Sequence, residues 1–168
     1  MRYALDFSTK NGLGKPALSI FLSGCDRPNK CENCHNPELW EPSQESYENL
    51  ILDLEQACNI FQRIYKTVRV AIIGGEPLAS YNKLLTYTIA KYVKDNYMNS
   101  EVILYSWRSL ELIHANDTIK NLLDYIDYGV LGAYDKNLHE DNTIPASSNQ
   151  YIYDFKRSIR LPSIKLKE

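Results

Sequence analysis

Two periods of apolar spacing run along this chain, and the changes between them mark its elements. Ala17 to Leu22 is a short apolar run fed by the turn-rich Asn11-Gly12-Leu13-Gly14-Lys15-Pro16, and it predicts a buried strand. Tyr47, Leu50, Ile51, Leu54, Cys58, Phe61 and Ile64 recur at helical spacing, predicting a long helix from an N-cap at Ser43 to about Tyr65. The β-branched run Val68 to Ile73, closed by Gly74-Gly75, predicts a central strand. Helical spacing returns through Tyr81, Leu84, Leu85, Ile89, Tyr92 and Val93. Glu101 to Tyr105 reads as a third strand, followed by a short helix near Ser109 and another capped by Asp117 through Ile126. Tyr128 to Tyr134 predicts a fourth strand and Tyr151 to Phe155 a fifth.

Strands alternating with helices are the pattern of parallel βα units joined by right-handed crossovers. About five or six strands are too few for a closed eight-stranded barrel. The expected fold is therefore α/β, an open partial (β/α) barrel of mainly parallel strands, in a single domain over residues 1–168. Residues 156–168, basic and interrupted by Pro162, are expected to be a loosely packed tail.

Composition narrows the function. A formal charge of −2 over 168 residues gives no broad footprint for nucleic acid, and no apolar run approaches the length of a membrane span. The segment Met1 to Asp6 lacks the apolar stretch of a secretory signal, which argues against export. Four cysteines in an unexported chain then read as metal ligands or free thiols in a reducing cytoplasm.

Three of those cysteines, Cys25, Cys31 and Cys34, fall within ten residues directly after the first strand. Thiolates are soft ligands for iron–sulfur clusters, zinc or copper(I). Three ligands with a position left open suit chemistry, whereas four closed ligands suit a structural zinc site. The fourth zinc ligand would be His35, His114 or His139, but His35 adjoins Cys34, and neighbouring residues seldom reach one metal. Cys58 falls on the apolar stripe of the first helix and reads as a buried core residue. A second constellation, Gly74-Gly75-Glu76-Pro77, follows the central strand. Its glycines would let a ligand approach the backbone, and its carbonyls and carboxylate would accept from a cationic amine. Its bland alternative is a strand-to-helix turn opened by Pro77. In a parallel sheet both constellations fall at the carboxyl ends of strands, where sites are built.

The cysteine loop running into Cys34-His35-Asn36-Pro37-Glu38, with Gly74-Gly75-Glu76-Pro77 about forty residues on, resembles the radical S-adenosylmethionine enzymes. More closely, the chain is similar to the anaerobic ribonucleotide reductase activating proteins. That likeness also takes in Asn11-Gly12-Leu13-Gly14, Ser23-Gly24-Cys25, Leu39-Trp40, Leu104-Tyr105-Ser106 and Ser147-Ser148-Asn149-Gln150, together with the chain length. The resemblance implies a partial barrel of the radical S-adenosylmethionine type. It implies a 4Fe–4S cluster on Cys25, Cys31 and Cys34, with S-adenosylmethionine on the fourth iron. Gly74, Gly75, Glu76 and Pro77 would face the methionine amino group, with Asn36 and Ser106 as further cofactor contacts and no catalytic side chain beyond the two cofactors. An electron from a reduced flavodoxin-type carrier would yield a 5′-deoxyadenosyl radical, which would take a hydrogen from a glycine of the large reductase subunit. The chain departs from that family in its Cys-x5-Cys-x2-Cys spacing, where the family has Cys-x3-Cys-x2-Cys. Two residues can bulge outward at Pro28-Asn29 without displacing the sulfurs. It also departs at Lys15-Pro16, at Trp107 in place of glycine, and at Leu131 in place of an acid.

Two other readings stand beside the activase. One is the same radical chemistry on a small molecule, as in a deazaguanine synthase, or on another protein or peptide. The other is a zinc-binding interaction module without catalysis.

Overall fold

A computed structural model describes residues 1–167. In chain order its strands are β1 (Tyr3–Ser8), β2 (Ala17–Leu22), β3 (Val68–Gly74), β4 (Ser100–Ser106), β5 (Tyr128–Leu131), β6 (Thr143–Ile144), β7 (Tyr151–Asp154), β8 (Ile159–Leu161) and β9 (Ile164–Lys165). The helices are α1 (Leu50–Tyr65), α2 (Lys83–Asn96), α3 (Leu110–His114) and α4 (Lys120–Leu123). Seven strands form one open sheet in the order β1-β2-β3-β4-β5-β7-β8. Among the described residues no helix is long and apolar enough to cross a membrane.

The centre of the sheet follows the sequence pattern. β2, β3, β4 and β5 pair in parallel, with α1, α2 and the α3–α4 segment as crossovers. The edges do not follow it. β1 pairs antiparallel with β2, β7 antiparallel with β5, and β8 antiparallel with β7. The sheet is mixed rather than mainly parallel, because no crossover helix stands between β5 and β7 and the chain returns in the opposite sense. The alternation in β4 divides the core between the two faces of the sheet. Val102 and Leu104 join the larger cluster, with Leu50, Leu54, Cys58 and Phe61 of α1 and Leu85, Ile89 and Val93 of α2. Ile103 turns the other way, into a smaller cluster with Val130, Ile144 and Ile152.

Several boundaries differ from the sequence reading. β5 ends at Leu131 rather than Tyr134, and the helix expected from Asp117 to Ile126 is a short 3₁₀ turn capped by Asn116, not Asp117, followed by α4, which ends at Leu123. The long helix begins at Leu50, not after Ser43, because Ser43 and Ser46 spend their hydroxyls on local turns, accepting from Glu45 N and Glu48 N at 3.1 and 3.2 Å. Its buried stripe is correspondingly narrow, and Ile51 and Ile64 face outward. Residues 156–167 of the expected tail are mostly exposed, and they pair with the rest of the chain; the last residue, Glu168, lies outside the described residues. β8 extends the sheet, β9 pairs with β6, Leu166 N donates to Asn142 O at 2.7 Å, and Ile164 and Leu166 pack on the smaller cluster. Short apolar residues at every second or third position hold this segment, a signal too brief to separate from a basic tail.

The narrow stripe makes a test. Phe61→Ala should lower stability by about 3–5 kcal/mol in chemical denaturation, while Ile64→Ala on the outer face should stay within about 0.5 kcal/mol. Equal losses at the two positions would contradict this packing.

Candidate functional site

The site grows from the junction of two strand ends. As β2 ends, the chain passes through Gly24 to Cys25; as β3 ends, it passes through Gly74 and Gly75 to Glu76. The two turns touch through backbone alone. Gly75 N donates to Leu22 O at 2.8 Å, and Glu76 N donates to Gly24 O at 2.7 Å. A Cβ on Gly75 would stand 2.0 Å from Gly24 O. Gly74 has φ +112°, and its Cβ would meet Leu22 N at 2.4 Å. The glycine pair is thus required by chain-on-chain packing, whatever else it faces. The returning segment closes the other side, with Gly24 N donating to Leu39 O at 2.8 Å and Cys25 N to Trp40 O at 2.9 Å. Buried Asn82 donates to both Ser23 O and Glu76 O at 3.0 Å.

Glu76 is turned inward and is fully buried. Its Oε1 accepts from Leu78 N at 2.9 Å and from Ser106 Oγ at 2.8 Å, and its Oε2 accepts from Trp107 N at 3.0 Å. Arg108 Nη1 stands 3.3 Å from Oε1. Burial raises the Glu76 pKa to about 7, against the opposing pull of Arg108 and these donors. Arg108 in turn forks onto Asp26, the residue after Cys25, with Nη2 2.5 Å from Oδ2, and Trp107 Nε1 donates to Asp26 Oδ1 at 3.0 Å. Partial burial works against the Asp26 carboxylate, but Arg108 and Trp107 outweigh it and hold its pKa below the usual carboxylate range.

Beside this junction lies a cavity of about 150 Å³. Of the residues singled out from sequence, Cys25, Cys31, Cys34, Asn36, Gly74, Gly75 and Ser106 line it. Glu76 and Pro77 do not: Pro77 is buried, and its carbonyl accepts from Thr86 Oγ1 at 2.7 Å. Trp107, a departure from the family pattern, lines it too, as do Trp40 and Tyr105, which enter the sequence reading only as part of the resemblance, and Arg27 and Tyr134, to which sequence reasoning gives no role at the site. They are ordinary residues whose placement depends on the sheet. Of the late polar stretch Ser147 to Gln150, Gln150 reaches the wall and donates to Gly132 O at 2.9 Å. A second cavity of about 330 Å³ shares Cys31, Cys34, Asn36 and Gly74 with the first. Leu131 does not reach either one; it is fully buried in the larger core cluster.

The donor set fits an iron–sulfur cluster better than a closed single-ion centre. The three loop thiols are free and half-buried. Among the described residues no three His, Cys, Asp or Glu side chains converge to hold one metal ion. A cubane asks for less convergence, since each thiolate takes a different iron. No histidine or carboxylate lines the first cavity among the described residues, where all three thiols lie; His35 lines only the second, beside Cys31 and Cys34. Partial burial raises the Cys25 pKa, opposed by the Arg27 backbone N–H and by Lys30. Cys58 stands apart in the core, its thiol pushed up to about 12 by burial.

These features define an iron–sulfur protein of the α/β class, and residues 10–153 match the family described as 4Fe-4S single cluster domain. The chain belongs to that family. Among particular proteins, it is 28% identical over 152 residues to the anaerobic ribonucleoside-triphosphate reductase-activating protein of Pasteurella multocida (strain Pm70), covering 86% of this chain and 90% of that one. It is 25% identical over 151 residues to the protein of the same name from Enterobacteria phage T4, covering 90% of each. No solved structure matches the chain.

The buried acid gives a pH test. Glu76 keeps its proton to about pH 7 when folded, against an ordinary value of 4.5. Between those limits the folded state holds the extra proton, so stability falls as pH rises and levels off above about 7. Relative to Glu76→Gln, the wild type should lose about 2–3 kcal/mol between pH 5 and pH 7.5 in chemical denaturation. A constant difference would mean that Arg108 and the three donors keep Glu76 ionised throughout.

Proposed function

We propose that this chain is a radical S-adenosylmethionine enzyme of the activating class, which generates a glycyl radical on an anaerobic ribonucleotide reductase. The observation that carries the reading is the meeting of three free thiols of one loop with the Gly74-Gly75 backbone at one cavity, in a chain of the 4Fe-4S single cluster family. The names of the two curated relatives support the choice of partner.

In this reading Cys25, Cys31 and Cys34 would hold the cluster, and the open side of the cavity would take S-adenosylmethionine. When bound and reduced by a flavodoxin-type carrier, the pair supplies a 5′-deoxyadenosyl radical that removes a hydrogen from a glycine of the partner. The chain's own residues position and shield. Gly74 and Gly75 present backbone to the methionine amino group at a point no side chain can crowd. Asn36 adds a polar wall. The Ser106 hydroxyl gives its proton to Glu76 and accepts from Arg108 N at 3.1 Å, so any contact it makes with the nucleotide is as an acceptor. Glu76 acts from behind, fixing Ser106 and the Trp107 backbone rather than meeting the ligand itself, and Pro77 shapes the turn. Free thiols and an oxygen-labile cluster suit a reducing cytoplasm.

The second cavity adjoins the first through shared lining residues and is walled by apolar residues such as Ile73, Val130, Ile144 and Leu166 and by polar ones such as Lys10, Asn11, His35 and Gln150. The choice of a protein substrate rests on the names of the two relatives.

Anaerobically reconstituted protein, reduced and supplied with S-adenosylmethionine, should release 5′-deoxyadenosine, and the addition of the large reductase subunit should produce a glycyl radical signal in electron paramagnetic resonance. Cys31→Ala should lose both iron and cleavage, whereas Cys58→Ala should keep its iron. Stoichiometric zinc without iron would favour the interaction module. Cleavage with no radical on the reductase would favour the small-molecule or other-peptide reading.

A further inference from the structure

Within the cysteine loop a cation stands on one of the sulfurs. Arg27 Nη1 donates to Cys31 Sγ and, at 3.3 Å, to the carbonyl oxygen of Tyr134. The guanidinium is thereby held between the loop and the segment after β5, on the wall of the cavity that the three cysteines share. Lys30 braces the bulge from within, its Nζ donating to Cys25 O and, at 3.1 Å, to Arg27 O. Lys136 ties the loop's far side through Glu32. The loop's two carboxylates are both taken by other cations, Asp26 by Arg108 and Glu32 by Lys136. The charge of Arg27 is therefore directed at Cys31 and not cancelled by its own loop.

We propose that Arg27 is a tuning residue for the cluster, acting through Cys31 to raise its reduction potential. The proposal rests on the cluster reading above. Reduction adds one electron to the cluster and its thiolates, with no bond broken and no proton required. A cation hydrogen-bonded to a ligand sulfur stabilises the reduced form more than the oxidised form, and sulfur hydrogen bonds and local charge are what set such potentials. Arginine keeps its charge across the whole working pH range, so the effect is permanent rather than switched. A single nitrogen, Nη1, donates to both the sulfur and the Tyr134 carbonyl, so the charge is held against Cys31 by a second contact. The consequence for the chemistry is a trade: a weaker electron donor suffices to reduce the cluster, and each electron it passes on carries less driving force.

The test uses full-length reconstituted protein without S-adenosylmethionine, reduced stepwise with dithionite and followed by electron paramagnetic resonance, beside iron and sulfide analysis. Arg27→Ala and Arg27→Gln should retain the wild-type iron content and show midpoints shifted to lower potential, with Arg27→Lys between them and the wild type. A merely structural clamp on Tyr134 would leave the midpoint in place. Unchanged midpoints in cluster-replete Arg27→Ala and Arg27→Gln overturn the proposal. Iron lost from those two variants also overturns it, by making Arg27 a requirement for holding the loop. Wild-type protein that takes up no iron removes the cluster reading itself, and this inference with it.

Discussion

Gly75 lies against Gly24 with no space for even a methyl group between them, and the architecture of the site depends on that contact. It joins the ends of β2 and β3 through backbone hydrogen bonds, so the point where Cys25 leaves the sheet and the point where Gly74 meets the cavity are set together. Buried Asn82 clamps the same junction from the α2 side, reaching Ser23 O and Glu76 O. Glu76 then extends it to a third strand end. One buried carboxylate accepts from Leu78, Ser106 and Trp107, and Arg108 carries the link back to Asp26 of the cysteine loop. Removing one partner from such a buried network leaves the others unsatisfied, so its members stand or fall together.

Behind this junction the protein is an ordinary packed sheet with helices on one face. On the cavity side, the stretch between Cys25 and Cys34 is held differently, largely by side chains: Asp26, Arg27 and Glu32 reach neighbouring segments, and Lys30 bonds to the loop's own carbonyls.

What can be read from residues alone follows from which forces are local. The four central strands are legible because each carries a continuous apolar run, as buried parallel strands must. Ser109 as the cap of α3 is legible too, since its hydroxyl accepts from Leu112 N at 3.3 Å. β1 is not, since its residues are at most half-buried and show no clean alternation. The start of α1 escapes a sequence reading because Ser43 resembles an N-cap but closes a turn of its own. At the site, the cysteines and the glycine pair announce themselves by type and spacing, Asn36 and Ser106 enter only through the family resemblance, and all of them line one cavity. Glu76, by the same criteria, should face a ligand, yet its carboxylate is turned into the protein. Its partners Asn82, Arg108 and Asp26 carry no local signal, because only the three-dimensional meeting of β2, β3 and β4 gives them a role.

The proposed chemistry requires a loop that supplies three sulfurs and no fourth ligand, leaving one iron for a nucleotide to occupy. The most direct measurement is the electron paramagnetic resonance spectrum of the reduced, reconstituted protein before and after saturation with S-adenosylmethionine. A ligand arriving at an open iron should change the g-values and line shape of the cluster signal. A spectrum that stays the same at saturation would contradict that chemistry, because the cluster would then have no site for the nucleotide.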